Sequence, residues 1–148
     1  MARYLTTIST PKSPEDAFAY MADLRHFADW DPGVKKVAQV DGDGAGPDAS
    51  FDVTVAGPVG DMTLRYRTLT WRPTSSVVVE ASNFWMTSHD RIVVEAADGG
   101  GCTVTYDAEV RLRGPLHVAD SLMGPGFDKI GAAAAEGLRR VLDGEFVR

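Results

Sequence analysis

The chain opens with bulky and small polar residues in alternation. "RYLTTIS" is rich in β-branched types, which predicts a strand, and Pro11 ends it. The period then changes. Ser13 offers an N-cap oxygen, Pro14 suits the first helical position, and Glu15 and Asp16 complement a helix dipole. Ala17, Tyr20, Met21, Leu24, Phe27 and Ala28 follow at helical spacing and make one apolar face. Asp31-Pro32-Gly33 stops the pattern, because proline drives its predecessor out of the helical region and glycine relieves the turn. The spacing predicts a short helical pair whose aromatic residues, at positions 18, 20, 27 and 30, pack beneath a sheet.

From Val34 onward the period is two. "VKKVAQV", "SFDVTVA", "DMTLRYRTLTW", "SVVVEAS", "MTSHDRIVVEA" and "CTVTYDAEVRLR" read as strands, joined by the turn-rich pieces "DGDGAGPD", "GPVG", "RPTS", "NF" and "DGGG". Connections this short imply antiparallel hairpins. In the third of these strands the apolar phase runs Met62, Leu64, Tyr66 and then Leu69, Trp71. The slip near Thr68 predicts a bulge or a strong bend. Arg113-Gly114-Pro115 breaks the last strand. After an interruption at Gly124-Pro125-Gly126, Phe127, Ile130, Ala134, Leu138 and Val141 form a stripe at helical period, the longest helix of the chain. "HVADSLM" before it reads as a separate turn or a kinked first segment.

This order predicts an α+β protein: a seven-stranded, curved antiparallel sheet wrapped around a long C-terminal helix, with two short helices after strand 1 plugging one open end. A cone-shaped α+β fold would place its longer helices before the sheet, and a lipocalin barrel would lack the helical pair. At 148 residues the length suits one domain, 1–148.

Composition narrows the function classes. With 44% hydrophobic and 24% charged residues the chain is ordinary globular protein. A net charge of -6, with Lys35-Lys36 and Arg139-Arg140 as isolated basic pairs, disfavours nucleic acid as a partner. The single cysteine, Cys102, leaves no intrachain disulfide and no thiolate zinc site. His26, His89 and His117 lack metal-ligand spacing. "DGDGAGPD" carries Asp41, Asp43 and Gly46 like a calcium loop, but Ala45 replaces an oxygen ligand, Asp52 replaces the closing glutamate and strands replace the flanking helices. No metal and no cofactor is expected. No stretch approaches the ~18 apolar residues of a membrane span, and no signal peptide is visible, so a cytoplasmic monomer or homodimer, not an integral membrane protein, is the expectation.

The strand order, together with "SPEDAFAYMADLRHFADWDPGV", "DGGGCTVTYDAEVRLRG" and "FDKIGAAAAEGLRRVLD", resembles the START-like (SRPBCC) superfamily with its helix-grip fold, and within it the polyketide cyclase/dehydrase-like branch. The resemblance implies an internal cavity for a hydrophobic small molecule, lipid or polyketide-like, with cyclase or dehydratase activity as one outcome. A non-catalytic carrier or sensor, or an interaction module with a collapsed cavity, are the others. Candidate proton carriers are His89, Tyr106 and Tyr66. Adjacent strand residues face opposite sides, so only one of His89 and Asp90 points inward, and the apolar pattern does not decide which. A solvated His89 is favoured. Tyr106, flanked by Val104, Ala108 and Val110, points inward and needs a partner for its hydroxyl. Tyr66, Trp71, Trp85, Tyr106, Met123, Phe127, Ile130 and Ala134 are the candidate ligand contacts.

Overall fold

A computed structural model describes residues 2–57, 60–116 and 124–147. Strand β1 (Ala2–Thr10) leads into helix α1 (Pro14–Ala22). Its Ser13 cap accepts from the Asp16 backbone N–H at 3.1 Å. Asp23 then leaves helical geometry and starts a single tight turn, Leu24–His26, before the four-residue helix α2 (Phe27–Trp30). That break resets the helical phase. Ala17, Met21, Leu24 and Phe27 are buried as the spacing predicts, whereas Ala28 is exposed and Trp30 takes the buried place.

Strands β2 (Val34–Asp41), β3 (Ser50–Gly57), β4 (Gly60–Arg72), β5 (Ser76–Ser82), β6 (Met86–Ala96) and β7 (Cys102–Leu112) follow, then helix α3 (Gly124–Val141) and a two-residue strand, β8 (Glu145–Phe146). The sheet runs β2-β3-β4-β5-β6-β7-β1-β8 and is antiparallel throughout. It therefore has eight strands rather than seven. β8 pairs only Ile8 and Ser9 of β1, too short a segment for a period of two to register in the sequence. The slip in β4 is a bulge: Thr68 faces Val79 and Thr70 faces Val78, leaving Leu69 over.

The concave face packs on α1, α2 and α3. Phe51, Val53, Val77, Val79, Ile92 and Val104 from the sheet meet Met21, Leu138 and Leu142, all essentially without solvent contact. Helix α3 buries Gly131, Ala134, Ala135, Gly137 and Leu138, with Leu142 buried just past its end, and leaves Ile130 56% exposed, so the predicted stripe is rotated at its front end. Glycine decides how closely α3 can lie. A methyl group at Gly137 would overlap the Trp30 carbonyl, and one at Gly131 would overlap the Tyr4 ring. No described helix is long and apolar enough to cross a membrane.

Candidate functional site

Between α3, α2 and the sheet lies a chamber of about 620 Å³. Its wall is chiefly apolar, including Val34, Val55, Met62, Leu64, Met86 and Phe127, and its exposed border is formed by Pro32, Ala56, Lys129, Ile130 and Ala133. That border is its mouth.

The inner wall is polar, and the register of the sheet explains why. Tyr66 on β4 faces Ala81 on β5, which faces Ser88 on β6. The small Ala81 lets the Tyr66 hydroxyl reach across and donate to Ser88 Oγ at 2.8 Å. One inward step along β6, Asp90 faces Ala108 of β7, again a small neighbour, with Tyr106 on the diagonal. Tyr106 donates to Asp90 Oδ2 at 2.7 Å and Ser88 donates to Oδ1 at 3.1 Å. The result is one hydrogen-bonded chain, Tyr66–Ser88–Asp90–Tyr106, bordering the chamber and buried throughout.

Aromatic residues of α2 brace it. Phe27 meets Tyr66 edge-on with ring centroids 6.3 Å apart, and Trp30 meets Tyr106 edge-on at 5.1 Å. The short helical pair thus holds the two tyrosines in place as well as plugging the sheet. The turn after α2 supplies a second carboxylate: Asp31 accepts from the Gly33 N–H at 2.8 Å and also borders the chamber.

Electrostatics follow from burial. Desolvation pushes the Asp90 carboxyl up to about 6, against the pull of its Tyr106 and Ser88 donors. Burial also raises Asp31. Both tyrosine hydroxyls are held well above their ordinary range by burial and by the nearby Asp90 charge.

Of the residues singled out in the sequence, Tyr66, Tyr106, Phe127 and Ala134 border the chamber directly, and Ile130 does so at its mouth. Trp71 sits elsewhere, packed on Phe18 of α1 with ring centroids 5.3 Å apart. Trp85 lies 46% exposed in the β5–β6 connection, stacked edge-on against Phe84. Neither tryptophan is among the lining residues. Met123, like His117, lies outside the described residues. His89 is on the outer face, 2.9 Å from Glu80, so the inward member of its pair is Asp90. Alternation alone does not single out Asp90, because the two faces of β6 are almost equally polar. Hairpin register supplies the missing signal: with Ala96 paired to Cys102, an inward Tyr106 and Ala108 require Ile92 and Asp90 to be inward as well. Among the described residues no group of His, Cys, Asp and Glu is placed to hold a metal ion. The loop after β2 is instead closed by Gln39, which exchanges hydrogen bonds with the Gly44 backbone.

A curved antiparallel sheet gripping a C-terminal helix around an apolar chamber is the helix-grip fold of hydrophobic-ligand-binding proteins. Residues 1–143 match the family described as polyketide cyclase / dehydrase and lipid transport, and the chain belongs to it. No curated protein matches the sequence. Among solved structures, a START superfamily protein from Mycobacterium smegmatis is similar over 97% of this chain and 98% of that one, with a TM-score of 0.73 at 12% identity. XoxI from Bacillus cereus is similar over 96% of both chains, with a TM-score of 0.68 at 19% identity. The di-domain ARO/CYC StfQ from the steffimycin biosynthetic pathway is similar over 95% of this chain and 49% of that one, with a TM-score of 0.65 at 14% identity. At such identities the likeness speaks to the fold.

Proposed function

We propose that the protein takes a lipid- or polyketide-like molecule into the chamber and that the Tyr66–Ser88–Asp90–Tyr106 chain moves protons on it, as an intramolecular aldol cyclisation or dehydration requires. The observation that carries this reading is the buried carboxylate at the centre of the chain. Carriage of an apolar molecule does not require a buried carboxylate, whereas a carboxylate poised near neutrality is a better base than a surface one.

Both Asp90 oxygens already accept hydrogen bonds, so substrate reaches the carboxylate through a tyrosine. The α-proton next to a substrate carbonyl passes to a tyrosine oxygen while that tyrosine's own proton passes to Asp90. This concerted transfer avoids a free phenolate, which burial makes costly. The enolate carbon bonds to a second carbonyl carbon of the same molecule, and the new alkoxide takes the proton back through the chain. Loss of that hydroxyl as water, with removal of a further α-proton, gives the dehydrated ring. Every step is redox-neutral. The apolar wall contributes by holding a flexible chain in a folded, reactive shape.

The test is cyclisation of a linear poly-β-ketone presented as a short thioester surrogate, followed by chromatography. The wild-type protein is expected to accelerate formation of the dehydrated ring. Asp90→Asn is expected to keep apolar-probe binding and lose about a hundredfold in rate. Equal rates in the two proteins would remove Asp90 from the reaction. Probe binding without acceleration by the wild type would leave the apolar wall as the working part and make the protein a carrier.

A further inference from the structure

Charge is distributed unevenly around the chamber. Among its described lining residues three are charged: Asp90 on the inner wall, Asp31 in the turn after α2, and Lys129 on the exposed border. The two acids are close enough for the Asp31 charge to act on Asp90. The hydroxyl donors of the inner wall are also committed, whereas Tyr4, which lines the chamber beside Gly131 of α3, stands outside that network. Tyr66 donates to Ser88, and Ser88 and Tyr106 both donate to Asp90. The inner wall therefore offers acceptor lone pairs on its tyrosine oxygens, with the negative charge of Asp90 directly behind them.

A ligand carboxylate pushed against this wall would lose its water, meet like charge and find its donors already spent. A buried ion needs a partner to offset desolvation, and none of its sign's complement is there. A neutral hydroxyl has the opposite fit, because it brings the proton that the acceptors lack. From this placement of charges and donors we infer that the chamber sorts ligands by their buried end. It takes hydrophobic molecules ending in a neutral hydroxyl, such as an alcohol, a phenol or the enol of a β-diketone, and turns away those whose inner end is a carboxylate. An acid group on such a ligand belongs at the mouth, beside Lys129. The inference rests on the reading of the chamber as a ligand site and narrows its substrate class to hydroxyl- or enol-ended molecules rather than free acids.

Displacement of the neutral fluorophore N-phenyl-1-naphthylamine by 1-dodecanol and by dodecanoate tests it, at mildly alkaline pH where Asp90 and dodecanoate are both ionised. Dodecanol should displace the fluorophore from the wild-type protein at a concentration at least tenfold lower than dodecanoate does. Any apolar pocket favours the less hydrated alcohol, so the decisive reading is the change in that ratio in variants. Asp90→Asn removes the charge and supplies an amide donor, and should narrow the ratio several-fold through a gain by dodecanoate. Asp31→Asn, which leaves the hydroxyl chain intact, should shift it in the same direction and serves if the Asp90 variant does not fold. Dodecanoate matching dodecanol on the wild type, or a ratio unmoved in the folded variants, would overturn the inference while leaving the chamber reading in place. A fluorophore that does not bind the wild type at all would sink the chamber reading itself, and the inference with it.

Discussion

Asp90 is costly to the fold. In an unfolded chain an aspartate ionises near 3.8; in the folded chamber the same group ionises at about 6. Between those values the native state holds the proton more tightly than the unfolded state does. Stability contributed by this group is therefore present at low pH, falls as pH rises from about 4 to about 6, and is level above. The carboxylates of Asp52 and Asp107, held low by their Arg65 and Arg3 partners, slope the other way, so the wild-type curve alone does not isolate Asp90. The difference between Asp90→Asn and wild type does. Unfolding free energies measured from pH 4 to pH 7 should show the variant gaining on the wild type by about 2 kcal/mol across that window. A pH-independent difference would mean that Asp90 is not buried as described.

At the scale of elements, α3 is placed by two glycines. Alanine is the better helix former by about 1 kcal/mol, yet a methyl at position 137 would overlap the Trp30 backbone, which cannot swing aside as a side chain would. Gly137→Ala should therefore destabilise, with a net loss of about 1–3 kcal/mol read as a lowered Tm. A raised Tm would show that α2 and α3 do not lie in contact. What the sequence disclosed of the elements depended on how much chain each period had to work with. β5 and β6 span the stretches their alternation marks, and the bulge in β4 shows as a phase slip. β8 has two residues, and the break at Asp23 turns Ala28 outward, so neither is visible to a period count. At the site, Tyr66 and Tyr106 were legible because apolar neighbours flank them on one face. Asp90 was not, because Ser88 and Asp90 make the inward half of β6 as polar as the outward half. Trp71 follows the bulge, whose extra residue changes what lies beneath it, and packs on Phe18.

For the molecule as a whole, the question is whether the sheet and α3 enclose usable space or merely pack. Small residues along α3 serve two ends. Gly131 and Gly137 let the helix approach Tyr4 and Trp30, whereas Ala134, 4% exposed, borders the chamber of about 620 Å³. A phenyl ring at position 134 has room to enter that space. In a solid core the same ring would cost about 1–3 kcal/mol of overpacking. The measurement is binding of a neutral apolar fluorophore by Ala134→Phe, with Tm recorded on the same sample. Trp30, in contact with Tyr106, offers an internal fluorescent reporter of occupancy. The variant should keep its Tm within a few degrees of the wild type and lose at least tenfold in affinity. A variant that unfolds far below the wild type, or one that binds the fluorophore as the wild type does, would contradict the chamber on which the functional account stands.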